Sequence, residues 1–344
     1  MFENKEKTNL ESLGEFGLIS HITKDFDTKN ASTYLGVGDD AALLKFGDTL
    51  IAISTDMLVE NIHFDLMYTP LLHLGYKAVC SNLSDICAMN AKPTQVTVSL
   101  SLSSKFTLEA VEELYKGVKA ACDKYKVDLV GGDTTSSPKG LSISVTAIGT
   151  VEEENVVKRT GAKDGDLLCV TGDLGGAYMG LQILEREKRV FLEHPEMQPD
   201  IERFDYIVGR QLKPEARLDV LESLKEMKVK PTSMIDISDG LASEIFHLCK
   251  ASDVGMKLYE DKIPIDPLTY QTALDLNLDP TVSALNGGED YELLFTVNQT
   301  DFETIRNSAD ISIIGHCVPA SEGKRLITKS GNEHELIAQG WQSF

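Results

Sequence analysis

Asp39 and Asp40 follow a glycine turn in GVGDDAA, and Asp56 closes the apolar run IAISTD. Asp85 interrupts the mostly apolar NLSDICAM, Asp133 follows DLVGG, Asp236 and Asp239 frame MIDISDGL, and Glu289, Asp290 and Glu292 crowd NGGEDYELLF. A solvated acidic face would interleave its acids with Lys and Arg along helix exteriors. Most of these acids instead end or interrupt apolar runs at strand ends and glycine turns, where a carboxylate is directed into a crevice. Desolvating one such carboxylate unpaired costs several kcal/mol, and few cations stand in these motifs to neutralise them. A divalent metal resolves the charge, and Mg²⁺, which takes six oxygens at about 2.1 Å from carboxylates, waters and substrate phosphates, suits the donors. One such Asp alone reads as a helix cap or turn residue. Together the motifs point to a metal and phosphate site.

Smaller groups stand beside these acids. Ser54 and Thr55 precede Asp56, Ser238 lies between Asp236 and Asp239, and Lys158 and Arg159 form an adjacent basic pair. Gly172-Asp-Leu-Gly-Gly176, ahead of a helical stretch, is either a turn with a cap or a second glycine-rich anion loop. His63, in VENIHFDL, is either structural or part of a site. GVGDDA fits GxGxxA, but two carboxylates at such a turn would repel a pyrophosphate, which argues against a dinucleotide site. The sequence has no GxxxxGK[ST], HExxH, GxSxG or kinase HRD and DFG pair, so a nucleotide would be held without a P-loop.

The elements that must carry these residues follow from periodicity. Alternation and β-branched content predict strands over 49–55, 94–103, 141–150, 166–172, 233–237 and 291–297. Helical spacing predicts helices over 72–90, 107–126 with Thr107 as N-cap, 176–188, 214–227 with Pro214 in its first turn, and 240–252. The mixture gives an α/β or α+β class. The charged, glycine-punctuated stretch 151–165 is expected to connect two domains, and 193–205 to form a surface excursion. Residues 1–13 are expected to be a disordered extension, with an N-terminal domain over 14–150 and a C-terminal domain over 166–344. Asn82-Leu-Ser-Asp85 echoes Asp236-Ile-Ser-Asp239 once in each half, too briefly to argue duplication.

With 344 residues, 33 Lys+Arg against 54 Asp+Glu and a formal net charge of -21, the chain has length for two cores and a charge that disfavours nucleic acid or an anionic membrane as partner. No apolar run approaches the roughly 18 residues of a membrane helix, and the start lacks a signal peptide's apolar core, so a soluble, cytoplasmic protein is expected. The six cysteines show no zinc spacing and read as buried thiols in a reducing compartment.

The ordered motifs GEFGLI, GDDAALL, STDMLVENIHF, NLSDICAM, GGDTT, RTGAKDGD, DISDGL and GGEDYELLF make the chain resemble the thiamine-monophosphate kinases, ATP-dependent enzymes that make thiamine diphosphate. The resemblance runs from about residue 14 to the C-terminus. That family shares a superfamily with aminoimidazole ribonucleotide synthetase and selenophosphate synthetase. The resemblance implies an N-terminal α/β domain whose strands pair across a homodimer and a C-terminal α/β domain covering the nucleotide. It implies that Asp40, Asp56, Asp85, Asp133, Asp236 and Asp239 hold several Mg²⁺ ions with Ser54 and Thr55 assisting. Gly132, Asp133, Arg159, Ser238 and Tyr115 would contact ATP, and His63, Glu289 and Trp341 thiamine monophosphate, with Asp85, Asp133 and Arg159 central to catalysis. The rival readings are another ATP-dependent synthetase of that superfamily and a non-catalytic nucleotide-binding regulator.

Overall fold

The computed structural model describes residues 10–339. In its first half α1 (Gly14–Thr23), β1 (Thr33–Leu35), β2 (Ala42–Phe46), β3 (Thr49–Val59), α2 (Leu71–Ala88), β4 (Lys92–Leu102), α3 (Leu108–Tyr125), β5 (Asp128–Ser136) and β6 (Leu141–Glu152) follow one another. The strands form one sheet in the order β1-β2-β3-β6-β4-β5. Alternation decides its faces: along β6 Leu141, Ile143, Val145 and Ala147 are buried, with less buried residues between them. Helices α2 and α3 pack closely because glycines meet backbone there. A Cβ on Gly75 would lie 2.0 Å from the Leu114 carbonyl oxygen, and one on Gly117 1.9 Å from that of Leu72. Gly117→Ala must therefore push α2, which carries Asp85, away from α3. We expect it to cost roughly 1 to 3 kcal/mol of stability by urea denaturation; an unchanged midpoint would contradict this packing.

The second half runs β7 (Leu167–Thr171), α4 (Gly176–Glu193), α5 (Asp205–Leu212), α6 (Leu218–Glu226), β8 (Ser233–Asp236), α7 (Leu241–Ser252), β9 (Val254–Tyr259), α8 (Pro267–Asp275), α9 (Pro280–Asn286), β10 (Leu293–Val297), α10 (Phe302–Ile305), β11 (Ile311–Pro319), β12 (Lys324–Ile327) and β13 (Glu333–Glu335). Its sheet has the order β13-β12-β9-β11-β7-β10-β8. The chain is thus mixed α/β with two sheets. One continuous apolar core joins the halves, since Leu83 and Ile86 of α2 share a cluster with Met234, Leu293 and Phe295 of the second sheet. This joint places the C-terminal end of α2 against the end of β8.

The helix expected over 214–227 begins only at Leu218. Tertiary bonds hold the preceding segment out of the helix: Tyr76 donates its hydroxyl to Glu215 at 3.0 Å, and the Ala216 N–H donates to the Tyr125 hydroxyl at 2.9 Å. The polar stretch expected at the surface is exposed from 193 to 200 and then enters α5. All six cysteines are buried and unpaired, as their apolar surroundings indicated. Among the described residues no helix is long and apolar enough to cross a membrane.

Candidate active site

Three carboxylates from three elements converge where the halves meet. Asp40 lies just before β2, Asp85 in the last turn of α2, and Asp236 at the end of β8. Each offers an oxygen, and these oxygens all lie within 4.8 Å of one another. Local structure fixes each one. Ser54 on β3 donates its hydroxyl to Asp85, and Ser84 on α2 donates to Asp236 at 2.7 Å. Arg159 binds Oδ1 of Asp40 through Nη2 at 2.6 Å and Nε at 3.1 Å, while Oδ2 of Asp40 is buried without a hydrogen-bond partner. The echoing segments NLSD and DISD therefore meet through Ser84 and Asp236.

Strand geometry sorts the neighbouring residues. Side chains two apart on β3 share a face, so Ser54 and Asp56 both turn toward α2. The Asp56 N–H donates to the Asn82 side chain at 3.0 Å. Thr55 points the other way, and its hydroxyl bonds to the Val145 carbonyl and the Thr146 hydroxyl, each at 3.0 Å. Of this pair Ser54 reaches the acids through its side chain, whereas the Thr55 hydroxyl is bonded within the sheet. Asp39 accepts the Arg159 backbone N–H at 3.2 Å, and Ser238 and Asp239 lie in the loop after β8. Their backbone N–H groups donate to the buried Glu244 of α7 at 3.3 and 2.9 Å.

Clustering perturbs these acids strongly. Burial, then the charges of Asp56, Asp236 and Asp40, push the Asp85 carboxyl well above its ordinary range. Asp236 is pushed up to about 7 by burial and Asp40, and Asp56 to about 6 by burial and Glu15. Asp39 and Asp239 rise to about 6, again chiefly through burial. Asp40 is raised by burial, with Arg159 pulling the other way. Burial works against the Arg159 charge, but Asp40 outweighs it and holds the guanidinium protonated. Crowded, desolvated carboxylates with an orphaned oxygen are a set of hard donors, which fits Mg²⁺ and not a soft metal.

The remaining expected residues lie elsewhere. Tyr115, Gly132 and Asp133 line a cavity with Val98, Leu129 and Thr134, at the β5 edge of the first sheet. Asp133 is exposed and accepts the Thr134 N–H at 2.8 Å, so within this chain it does not join Asp40, Asp85 and Asp236. His63 accepts the Val59 N–H at Nδ1 (3.0 Å), and burial lowers its pKa, favouring a neutral ring with its proton on Nε2. Glu289 projects from a glycine turn and meets Lys77 of α2 at 2.9 Å. Trp341 lies outside the described residues.

One sequence alternative is settled by its partners. Asp290 accepts the Gly175 N–H at 2.7 Å and the Ala177 N–H at 3.3 Å, so the chain's own carboxylate caps α4 and the Gly172 to Gly176 loop is a turn and cap. Glu292 is buried between Arg210 and Arg217. Sequence reasoning missed Ser84, Glu244 and Lys77. The one available signal was polarity inside an apolar helix, as in HLGYKAVC.

Comparison with known proteins agrees with this architecture. The family model for AIR synthase related protein, N-terminal domain, matches residues 38–151, and that for the C-terminal domain matches 163–310. A thiamine-monophosphate kinase of Buchnera aphidicola subsp. Schizaphis graminum is 37% identical over 94% of this chain and 96% of its own length. That of Bacillus subtilis is 33% identical over 96% of this chain and 100% of its own. A solved structure of AaThiL complexed with AMPPCP and TMP matches at TM-score 0.83 and 31% identity, covering 99% of this chain and 100% of that one.

Proposed function

Because this chain belongs to the thiamine-monophosphate kinase family, we propose that its converging carboxylates are the site where the γ-phosphoryl group of ATP passes to the phosphate of thiamine monophosphate. The observation that carries this reading is the meeting of Asp40, Asp85 and Asp236 within 4.8 Å, with one buried oxygen of Asp40 left unbonded. These three, with Asp56 and Asp239 flanking them, would hold Mg²⁺, which supplies charge neutralisation between two polyanionic substrates.

The chain's own residues do the rest. The acceptor phosphate has a second pKa of about 6 and is already ionised near neutral pH, so no side chain need act as a general base. The buried acids serve as ligands. Arg159, fixed by Asp40, places a permanent positive charge beside them, worth most in a desolvated cleft. The core shared by both halves holds the carboxylates in register, which keeps donor and acceptor in line. Transfer is direct: the Ser54 and Ser84 hydroxyls donate to Asp85 and Asp236, and carboxylates that would be held by the metal are poor bases for activating a protein nucleophile. Ser238 contacts the nucleotide beside the acids, Gly132, Asp133 and Tyr115 at the β5 edge reach it only across a pairing with a second copy, and His63 and Glu289 face the acceptor.

The outer edge of β5, which has no strand partner among the described residues and whose nine residues, Leu129 and Val130 among them, are all exposed, supports pairing with a second copy to form a homodimer. Sedimentation at a monomer mass would contradict the dimer. Six unpaired thiols and ATP as co-substrate favour the cytoplasm. Turnover tests the function: ATP, Mg²⁺ and thiamine monophosphate should give thiamine diphosphate and ADP in equal amounts. Absence of that product under conditions where the protein is folded would overturn the reading.

A further inference from the structure

Lys77 is a lysine where a lysine should not be, in the middle of α2 and only 3% exposed at its side chain. A buried ammonium persists only if paired and hydrogen-bonded. Its Nζ lies 2.9 Å from Oε1 of Glu289 and donates to the Gln211 carbonyl at 3.0 Å. The other oxygen of Glu289, Oε2, accepts from Nε2 of Gln211 at 2.7 Å. Both carboxylate oxygens are thus held from two helices, α2 and α5.

The backbone of Glu289 is held as tightly. It sits at φ 65°, a left-handed conformation uncommon for a residue with a side chain, and its N–H donates to the Ser238 carbonyl at 2.7 Å. Gly288 before it cannot carry a side chain, because a Cβ there would lie 2.4 Å from that same carbonyl oxygen. A strained backbone and a carboxylate bound at both oxygens fix the direction in which Glu289 presents its charge. Of the two side chains that hold this carboxylate, Lys77 brings the positive charge and Gln211 a neutral amide.

We infer that Lys77 is a positioning residue for the acceptor end of the reaction, holding the Glu289 carboxylate where it meets thiamine monophosphate. The inference rests on the proposed role of Glu289. It also gives α2 a second task. Lys77 and Asp85 are eight residues apart on one helix, about 12 Å along its axis at 1.5 Å per residue. One rigid element therefore sets the separation between the carboxylate at the acceptor end and the carboxylates at the transferring phosphate.

The test is a double-mutant cycle read in kinetics, with K77M, E289Q and the double variant assayed against both substrates. We expect K77M to raise KM for thiamine monophosphate about tenfold, to leave KM for ATP within twofold, and to add nothing in the E289Q background. A Lys77 that only braces the fold would move both KM values together, lower the melting temperature, and act additively with E289Q; that result overturns the inference. If E289Q raises KM for the acceptor and K77M does not, Lys77 alone is misassigned. If E289Q leaves that KM unchanged, the role of Glu289 fails and the inference falls with it. Should K77M fail to fold, K77Q, which keeps a donor at the same site, is put through the same cycle and judged by the same criteria.

Discussion

Asp85→Asn is expected to lose turnover at least about a hundredfold while remaining folded and, without metal, becoming more stable to heat. The two effects share one cause. Asp85 is half-buried beside Asp56, Asp236 and Asp40, and their repulsion adds to desolvation in driving its carboxyl well above the ordinary range. A neutral amide of the same shape relieves that repulsion and can still accept from the Ser54 hydroxyl. It cannot supply an anionic oxygen, and a shift of about 1 Å in what the cluster holds is enough to cost on the order of a hundredfold. Activity at saturating substrates and thermal denaturation in chelator check the pair. Turnover within threefold of the parent would remove Asp85 from the site; unchanged stability would show that the acids do not strain one another.

The second expected result concerns pH. Asp39, Asp56 and Asp239 are raised to about 6 and Asp236 to about 7 in the folded protein, against an ordinary value of 3.8. The folded state therefore binds these protons more tightly than the unfolded chain. Stability from this source is fully present below pH about 4 and is lost as pH rises through about 6 to 7. Raising one carboxyl's pKa tenfold in proton affinity is worth at most about 1.4 kcal/mol, and because the acids repel one another their contributions do not simply add. In chelator the melting temperature should fall by roughly 5 °C or more between pH 5.5 and pH 8, since about 1 kcal/mol moves it by a few degrees in a chain of this size. Mg²⁺ should recover most of the loss at pH 8 and little at pH 5.5, where protons compete for the same oxygens. Asp85→Asn should flatten the pH dependence. A melting temperature that rises from pH 5.5 to pH 8 in chelator would reverse the sign and refute the account of the cluster.

How much of this was legible in the sequence differs by residue. Asp40, Asp85 and Asp236 could be picked out because each interrupts an apolar context, which only a buried or liganded carboxylate tolerates. Their convergence could not, because it depends on α2 packing against β8 across the two halves, a contact that leaves no local pattern. Strand β5 illustrates the same limit. Its sequence DLVGGDTTS carries two glycines and two aspartates and has weak strand propensity, yet pairing with β4 in parallel register makes it a strand. The direction of the Thr55 side chain was not legible for a simple reason: the motif STD puts three oxygen-bearing side chains side by side, but strand alternation sends the middle one to the opposite face. The start of α6 shifted because Glu215 and Ala216 find partners on α2 and α3 that outweigh the helical tendency of Pro214 at a first turn.

The claim that binds these observations is that the site aligns two phosphates and lets the group pass between them with no enzyme-bound intermediate. ATP made chiral at the γ-phosphorus, turned over with thiamine monophosphate and Mg²⁺, tests it most directly. A single in-line transfer yields thiamine diphosphate with inverted configuration at the transferred phosphorus, which is the result expected here. Retention would require two displacements through a phosphorylated side chain and would contradict the account.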